Sequence, residues 1–203
     1  MKTRMSGGQR RDVIINAAIR LFAERGFEGT TTKELARAVG VSEPVLYRHF
    51  HTKNDLYAAI IESKAAEGEE LLKSRLGPFA DSDDDHGFFT ALADIMLEQF
   101  QRDPAYVRLL LFSALERHEL GRLFYERQIH FCFNFVREYI RRRMRQGAFR
   151  KMNPNIAARA FFGMVNHHGL MGELFEDKLV TGNRKTVARE MVRTFLDGVA
   201  SKT

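Results

Sequence analysis

In this 203-residue chain the side chains best able to do chemistry crowd into residues 29–53, Gly-Thr-Thr-Thr-Lys-Glu-Leu-Ala-Arg-Ala-Val-Gly-Val-Ser-Glu-Pro-Val-Leu-Tyr-Arg-His-Phe-His-Thr-Lys. These are hydroxyls, cations and imidazoles, the side chains that hydrogen-bond to polar or charged partners. Candidates for catalysis elsewhere fall short. His118-Glu119 begins like a metalloprotease motif but lacks its second His. His167 and His168 are adjacent, so on a helix they point about 100° apart and cannot share a metal as neighbours on one face. Cys132 sits in an apolar run and reads as an inert buried thiol. As the single cysteine it also excludes an intramolecular disulfide and any multi-cysteine zinc site within one chain. No glycine-rich phosphate loop is present. The sequence therefore predicts no enzyme, no metal and no cofactor.

The elements that must position residues 29–53 are helical. Apolar residues make up 44% and charged residues 29%, enough for a core and too ordered a mixture for a disordered chain. Four prolines and no alternating β-branched runs predict an all-α fold of about nine helices. Residues 1–9 read as a flexible basic arm. Ile14, Ala18, Leu21 and Phe22 share one face of a first helix over residues 10–24, which Gly26 stops. Thr31 with Glu34 forms a capping-box pattern for a short second helix that Gly40 ends. Ser42 caps a third, with Pro44 in its first turn. A long fourth helix starts at residues 53–55 and is expected to end at Gly77-Pro78. Four aspartates within residues 81–85 read as a solvated loop and also as first-turn charge for the next helix, and later breaks fall at Asp103-Pro104, residues 119–121, Gln146-Gly147, Asn153-Pro154 and Gly182-Asn183.

Helix, glycine turn, helix with Leu35, Ala36, Val39, Val41, Leu46 and Phe50 turned inward is a helix-turn-helix, whose second helix enters the DNA major groove. Gly26-Phe27, Thr31-Thr32, Leu35-Ala36, Gly40-Val41-Ser42, Leu46-Tyr47-Arg48-His49-Phe50 and Lys53 follow in order. This segment resembles the TetR family of bacterial transcriptional regulators over residues 10–60. The resemblance implies residues 10–54 as a DNA-binding domain and residues 55–203 as a helical effector-binding and dimerisation domain. It further implies Thr32, Tyr47, His49 and Lys53 at phosphates, with Lys33, Glu43, Pro44 and Val45 at bases. Ser42 is read as a cap beside the bases, and Arg48 as a solvated or backbone-contacting charge. A net charge of +6 permits a polyanion partner.

In the body, residues 130–135 are apolar on nearly every side and predict a buried central helix. The Arg141-Arg142-Arg143-Met144-Arg145 run reads as its solvated C-terminal end. Candidate effector-lining residues are Phe100, Phe112, Phe131, Phe135, Met164, His167, His168 and Met171, which favour a small apolar or amphipathic ligand. The resemblance implies a homodimer through the last two helices, with Phe161, Met164, Gly172, Met191, Phe195 and Val199 as interface candidates. It also makes repression the expected polarity. No apolar run approaches the roughly 20 residues that span a bilayer, and a cytoplasmic location is expected. A helical protein–protein adaptor, or less readily an enzyme, is the competing reading.

Overall fold

The computed structural model describes residues 7–115, 119–175 and 182–199. Its helices are α1 (Gly7–Arg25), α2 (Thr32–Ala38), α3 (Glu43–His49), α4 (Lys53–Asp81), α5 (Asp85–Arg102), α6 (Pro104–Leu115), α7 (Glu119–Phe124), α8 (His130–Arg145), α9 (Pro154–Phe175) and α10 (Arg184–Val199). A π turn (Tyr125–Ile129) joins α7 to α8 without a break, so nine continuous helices stand among the described residues. The fold is all-α, as the sequence predicts. Helix α1 begins at Gly7, inside the stretch read as an arm, and residues 1–6 lie outside the described residues. The break expected at 119–121 also moves, because α7 already starts at Glu119.

The chain divides into two compact units, one of residues 1–66 and 105–128, the other of residues 67–104 and 129–203. This boundary falls within α4 and gives α6 to the first unit, whereas the sequence divides the chain at residue 54. The reason is a shared core. Tyr106 and Leu109 of α6 are buried in one cluster with Ile14, Ala18 and Phe22 of α1 and Tyr57 and Ile60 of α4. Phe22, Phe27 and Tyr57 form a ring triad with centroids 5.5–5.6 Å apart.

In the second unit Phe89 of α5 is the hub. Its ring meets Phe161 of α9 at 4.8 Å and Phe195 of α10 at 4.9 Å, with Tyr139 of α8 and Phe149 a little further off. Helix α5 packs on α9 and α10, and α9 packs on α8 and α10. Helix α8 is not the fully buried centre that its aromatic run predicts. Phe131, Phe133 and Phe135 are only partly buried, and the buried residues are Val136, Tyr139 and Ile140.

Helix α4 runs through Gly77-Pro78, where the sequence predicts a stop. An internal proline forfeits one helical hydrogen bond and costs about 3 kcal/mol. Packing beyond it offsets that cost. Phe79 and Ala80 lie against the second core, and Arg142 of α8 donates to the Ala80 carbonyl. The helix then closes with Asp83 N–H to Ala80 O and Asp84 N–H to Phe79 O, with Asp83 at φ 56° in the position glycine usually takes. The aspartates here are only in part a solvated loop: Asp81 and Asp84 are exposed, Asp84 caps α5 and Asp85 lies in its first turn, but Asp83 and Asp85 are half-buried and bonded. Arg143 grips Asp85 through two nitrogens at 2.8 and 3.0 Å, Arg142 reaches Asp83 at 2.9 Å, and Tyr139 donates to Asp85 at 2.7 Å. Burial, then that bond to a carboxylate, raises the Tyr139 pKa. Arg142 and Arg143 therefore clamp the α4–α5 turn, while Arg141 and Arg145 of the same run are exposed as the sequence predicts.

Gly169 of α9 is fixed by the ring that covers it. A Cβ there would stand well under 3.0 Å from Phe100 of α5. Gly169→Ala is expected to lower stability by about 1–3 kcal/mol in denaturant unfolding, as overpacking does. Gly198→Ala, with nothing within 4 Å of its Cβ, should stabilise by less than about 1 kcal/mol.

Candidate nucleic-acid interface

The corner between α2 and α3 is made by backbone. Gly40 takes φ 68°, which lets its N–H donate to Arg37 O and the Val41 N–H reach Ala36 O. Leu35, Ala36, Leu46 and Phe50 then meet in the first core, with Val39 and Val41 packed against it. The start of α2 has the full capping box. Glu34 N–H donates to Thr31 Oγ1, and Thr31 N–H donates to Glu34 Oε2 at 2.9 Å. Those Thr31 bonds, more than the neighbouring Arg25, hold the Glu34 carboxyl below its ordinary pKa. Ser42 takes the N-cap position of α3 but makes no side-chain capping bond, so the capping role read from sequence is not filled.

With Leu46 and Phe50 inside, α3 turns Pro44, Tyr47 and Arg48 outward, Tyr47 being 42% exposed. Lys33 and Ser42 are exposed too. Val45, Glu43 and Thr32 are half-buried, and so is His49, which the alternation of faces would place outside. Three of these side chains form a relay. The Tyr47 hydroxyl donates to Thr32 Oγ1 at 3.3 Å, and Thr32 donates to Glu43 Oε1 at 2.8 Å. Glu43 thus ties the first turn of α3 to the first turn of α2.

Lys53 plays a structural part that its spacing does not reveal. Its ammonium donates to Phe27 O at 2.7 Å and Thr30 O at 3.1 Å, and lies 4.0 Å from the Phe27 ring centroid. It clasps the α1–α2 turn to the start of α4. That start has a cap the sequence reading passed over, Thr52 with Asp55, each donating its backbone N–H to the other's side chain. The spacing Thr-x-x-Asp was visible in the chain.

The other candidate residues separate. Phe112 belongs to the first unit and is exposed, whereas Phe100, Phe131, Phe135, Met164, His167, His168 and Met171 belong to the second. Of these His167 is exposed and the rest half-buried, and the Phe100 ring is taken up on Gly169. Cys132 is a half-buried thiol, not the fully buried one its apolar run predicts, and desolvation pushes its pKa up to about 11. Among the described residues no His, Cys, Asp and Glu side chains gather to hold a metal, and no helix is long and apolar enough to cross a membrane. Three interface candidates need correction. Phe161 and Phe195 are buried against Phe89 and Val199 is buried in the same core of their own chain, so they are core and not free surface. Met164 and Met191 are half-buried against that core, and Gly172 is exposed.

A three-helix module with an exposed third helix, followed by a helical body, defines a helix-turn-helix DNA-binding regulator. Residues 14–60 match the model of bacterial regulatory proteins of the tetR family, and residues 88–198 match that of the AefR-like transcriptional repressor C-terminal domain. The nucleoid occlusion factor SlmA of Vibrio cholerae serotype O1 is 32% identical over 164 residues, 77% of this chain and 80% of that protein. The fatty acid degradation regulator FadR from Bacillus halodurans superposes with a TM-score of 0.79 at 18% identity, covering 97% of this chain and 98% of that one. AibR in complex with isovaleryl coenzyme A and operator DNA superposes with a TM-score of 0.66 at 22% identity, covering 91% and 97%. The chain belongs to the tetR family of bacterial transcriptional regulators.

The Lys53 clasp makes a prediction about stability. Lys53→Met, which keeps the stem and removes the donors, should lower unfolding free energy by about 1–3 kcal/mol without any DNA present. Unchanged thermal unfolding would mean that the two carbonyl bonds contribute nothing net.

Proposed function

We propose that this chain is a repressor that binds a palindromic operator as a homodimer and lets go when a small apolar or amphipathic molecule enters its C-terminal body. The observation that carries the DNA reading is the face of α3, where Pro44, Tyr47 and Arg48 stand out while Leu46 and Phe50 are sealed inside. Lys33, Ser42, Pro44 and Val45 are assigned to base edges, and Tyr47, Arg48 and His49 to phosphates. Thr32 contacts phosphate by loosening its bond to Glu43, and Lys53 acts through the clasp that holds the module in shape. Glu43 brings negative charge to the groove, which lowers nonspecific affinity and leaves it free to accept from a cytosine amino group. A cytoplasmic location goes with that partner.

Two modules bound together must sit one helical turn apart, about 34–36 Å. A surface suited to pairing runs along α9, where Ile156, Ala160, Gly163, His167 and Leu174 are exposed at helical spacing. Helix α4 begins in one unit and ends in the other. A ligand that favours one setting of α4 changes the separation of the two recognition helices and releases the operator. The likeness in fold to FadR, a fatty acid degradation regulator, and to AibR in its complex with isovaleryl coenzyme A favours an acyl-type effector here. The likeness to a nucleoid occlusion factor favours a second reading, a role at the nucleoid and not at single promoters.

Selection of bound fragments from genomic DNA separates the two, since a few promoter-proximal palindromes support the first and many dispersed sites the second. On a selected palindrome, Tyr47→Ala with Arg48→Ala should weaken the electrophoretic shift at least tenfold while the melting temperature stays put. Binding within twofold of the parent would refute the assignment. Ile156→Asp with Leu174→Asp should sediment as folded monomer, and a persisting dimer would place the interface elsewhere.

A further inference from the structure

A cleft of about 450 Å³ opens in the second unit between the last turns of α4, the first half of α5 and the first turns of α10. None of the residues read from sequence as effector-lining touches it. That volume is within the roughly 300–1,000 Å³ of small-molecule sites. Its floor is apolar, with Phe79, Ala91 and Ala188 and the methyl-bearing Thr90. Gly87 keeps the floor open to Phe79, because a Cβ there would stand well under 3.0 Å from that ring.

The rim is cationic. Arg75, Lys185 and Arg189 line it, and the acid that lines it, Asp94, is already bonded to Arg75 at 2.9 Å and Arg184 at 2.7 Å. Burial alone would raise the Asp94 pKa, but the two guanidiniums outweigh it and hold the carboxyl below its ordinary 3.8, so it is ionised and matched. Arg75 spends its second arm on Glu98. Lys185 and Arg189 are both exposed and have no acidic partner among the described residues. They lie four residues apart on one face of α10, which puts two unmatched cations beside an apolar trough.

We propose that this cleft binds a single-chain amphipathic anion, its alkyl tail on Phe79, Ala91 and Ala188 and its charged end on Lys185 and Arg189. The inference deepens the effector reading and rests on it for the kind of ligand, while the site itself is tested without DNA and so stands or falls apart from repression. Calorimetric titration of the full chain with sodium decanoate, without DNA, tests it. Saturable binding of one decanoate per chain is expected, weakened at least tenfold by Lys185→Ala with Arg189→Ala. Decyl phosphate should bind as decanoate does, and uncharged decanamide at least tenfold more weakly. Both substituted side chains are on the surface, so circular dichroism should be unchanged. To block the trough without touching charge, Thr90→Trp should abolish the heat. Absence of saturable binding by either anion overturns the proposal. Affinity within twofold of the parent in the double variant, or equal binding of decanamide, overturns it as well.

Discussion

The backbone corner at Gly40 is the constraint on which the recognition surface depends. A positive φ brings the Val41 N–H back to Ala36 and starts α3 only a few residues after α2 ends. A side chain with a Cβ enters that region at a cost of about 1–2 kcal/mol, and glycine does so freely. Once the corner is set, Leu46 and Phe50 have one place to go, and Tyr47 and Arg48 face outward by default. The Lys53 ammonium then closes the other side of the module onto the Phe27 and Thr30 carbonyls of the α1–α2 turn.

Much of this module was legible because its determinants are local. Capping boxes act over three residues, glycine stops over two, and the inward positions of α2 and α3 follow helical period. Thr31, Glu34, Gly26 and Gly40 did what their spacing says. What stayed hidden was long-range. No pattern within one helix tells that the Lys53 donors reach residues 27 and 30, or that Arg142 and Arg143 find aspartates 59 and 58 positions earlier in the chain.

The same limit explains the body. Aromatic density around residues 130–135 points to burial, but a helix buries the stripe its neighbours offer, and here that stripe is Val136, Tyr139 and Ile140. Phe161, Phe195 and Val199 have the apolar character of an interface because they have the character of a core, and only their burial in the cluster around Phe89 distinguishes the two. Pro78 misleads in the opposite sense. Its local penalty is real, and tertiary packing of Phe79 with the arginine clamp overrides it.

Helix α6 carries Tyr106 and Leu109 into the core that α1 and α4 build. The reader head is therefore assembled from two stretches far apart along the polypeptide. A chimaera that borrows only the leading 66 residues would inherit a hollow where those two side chains belong. Swapping heads between regulators of this build means transplanting a discontinuous piece, and selection on the middle of the gene acts on the front of the molecule.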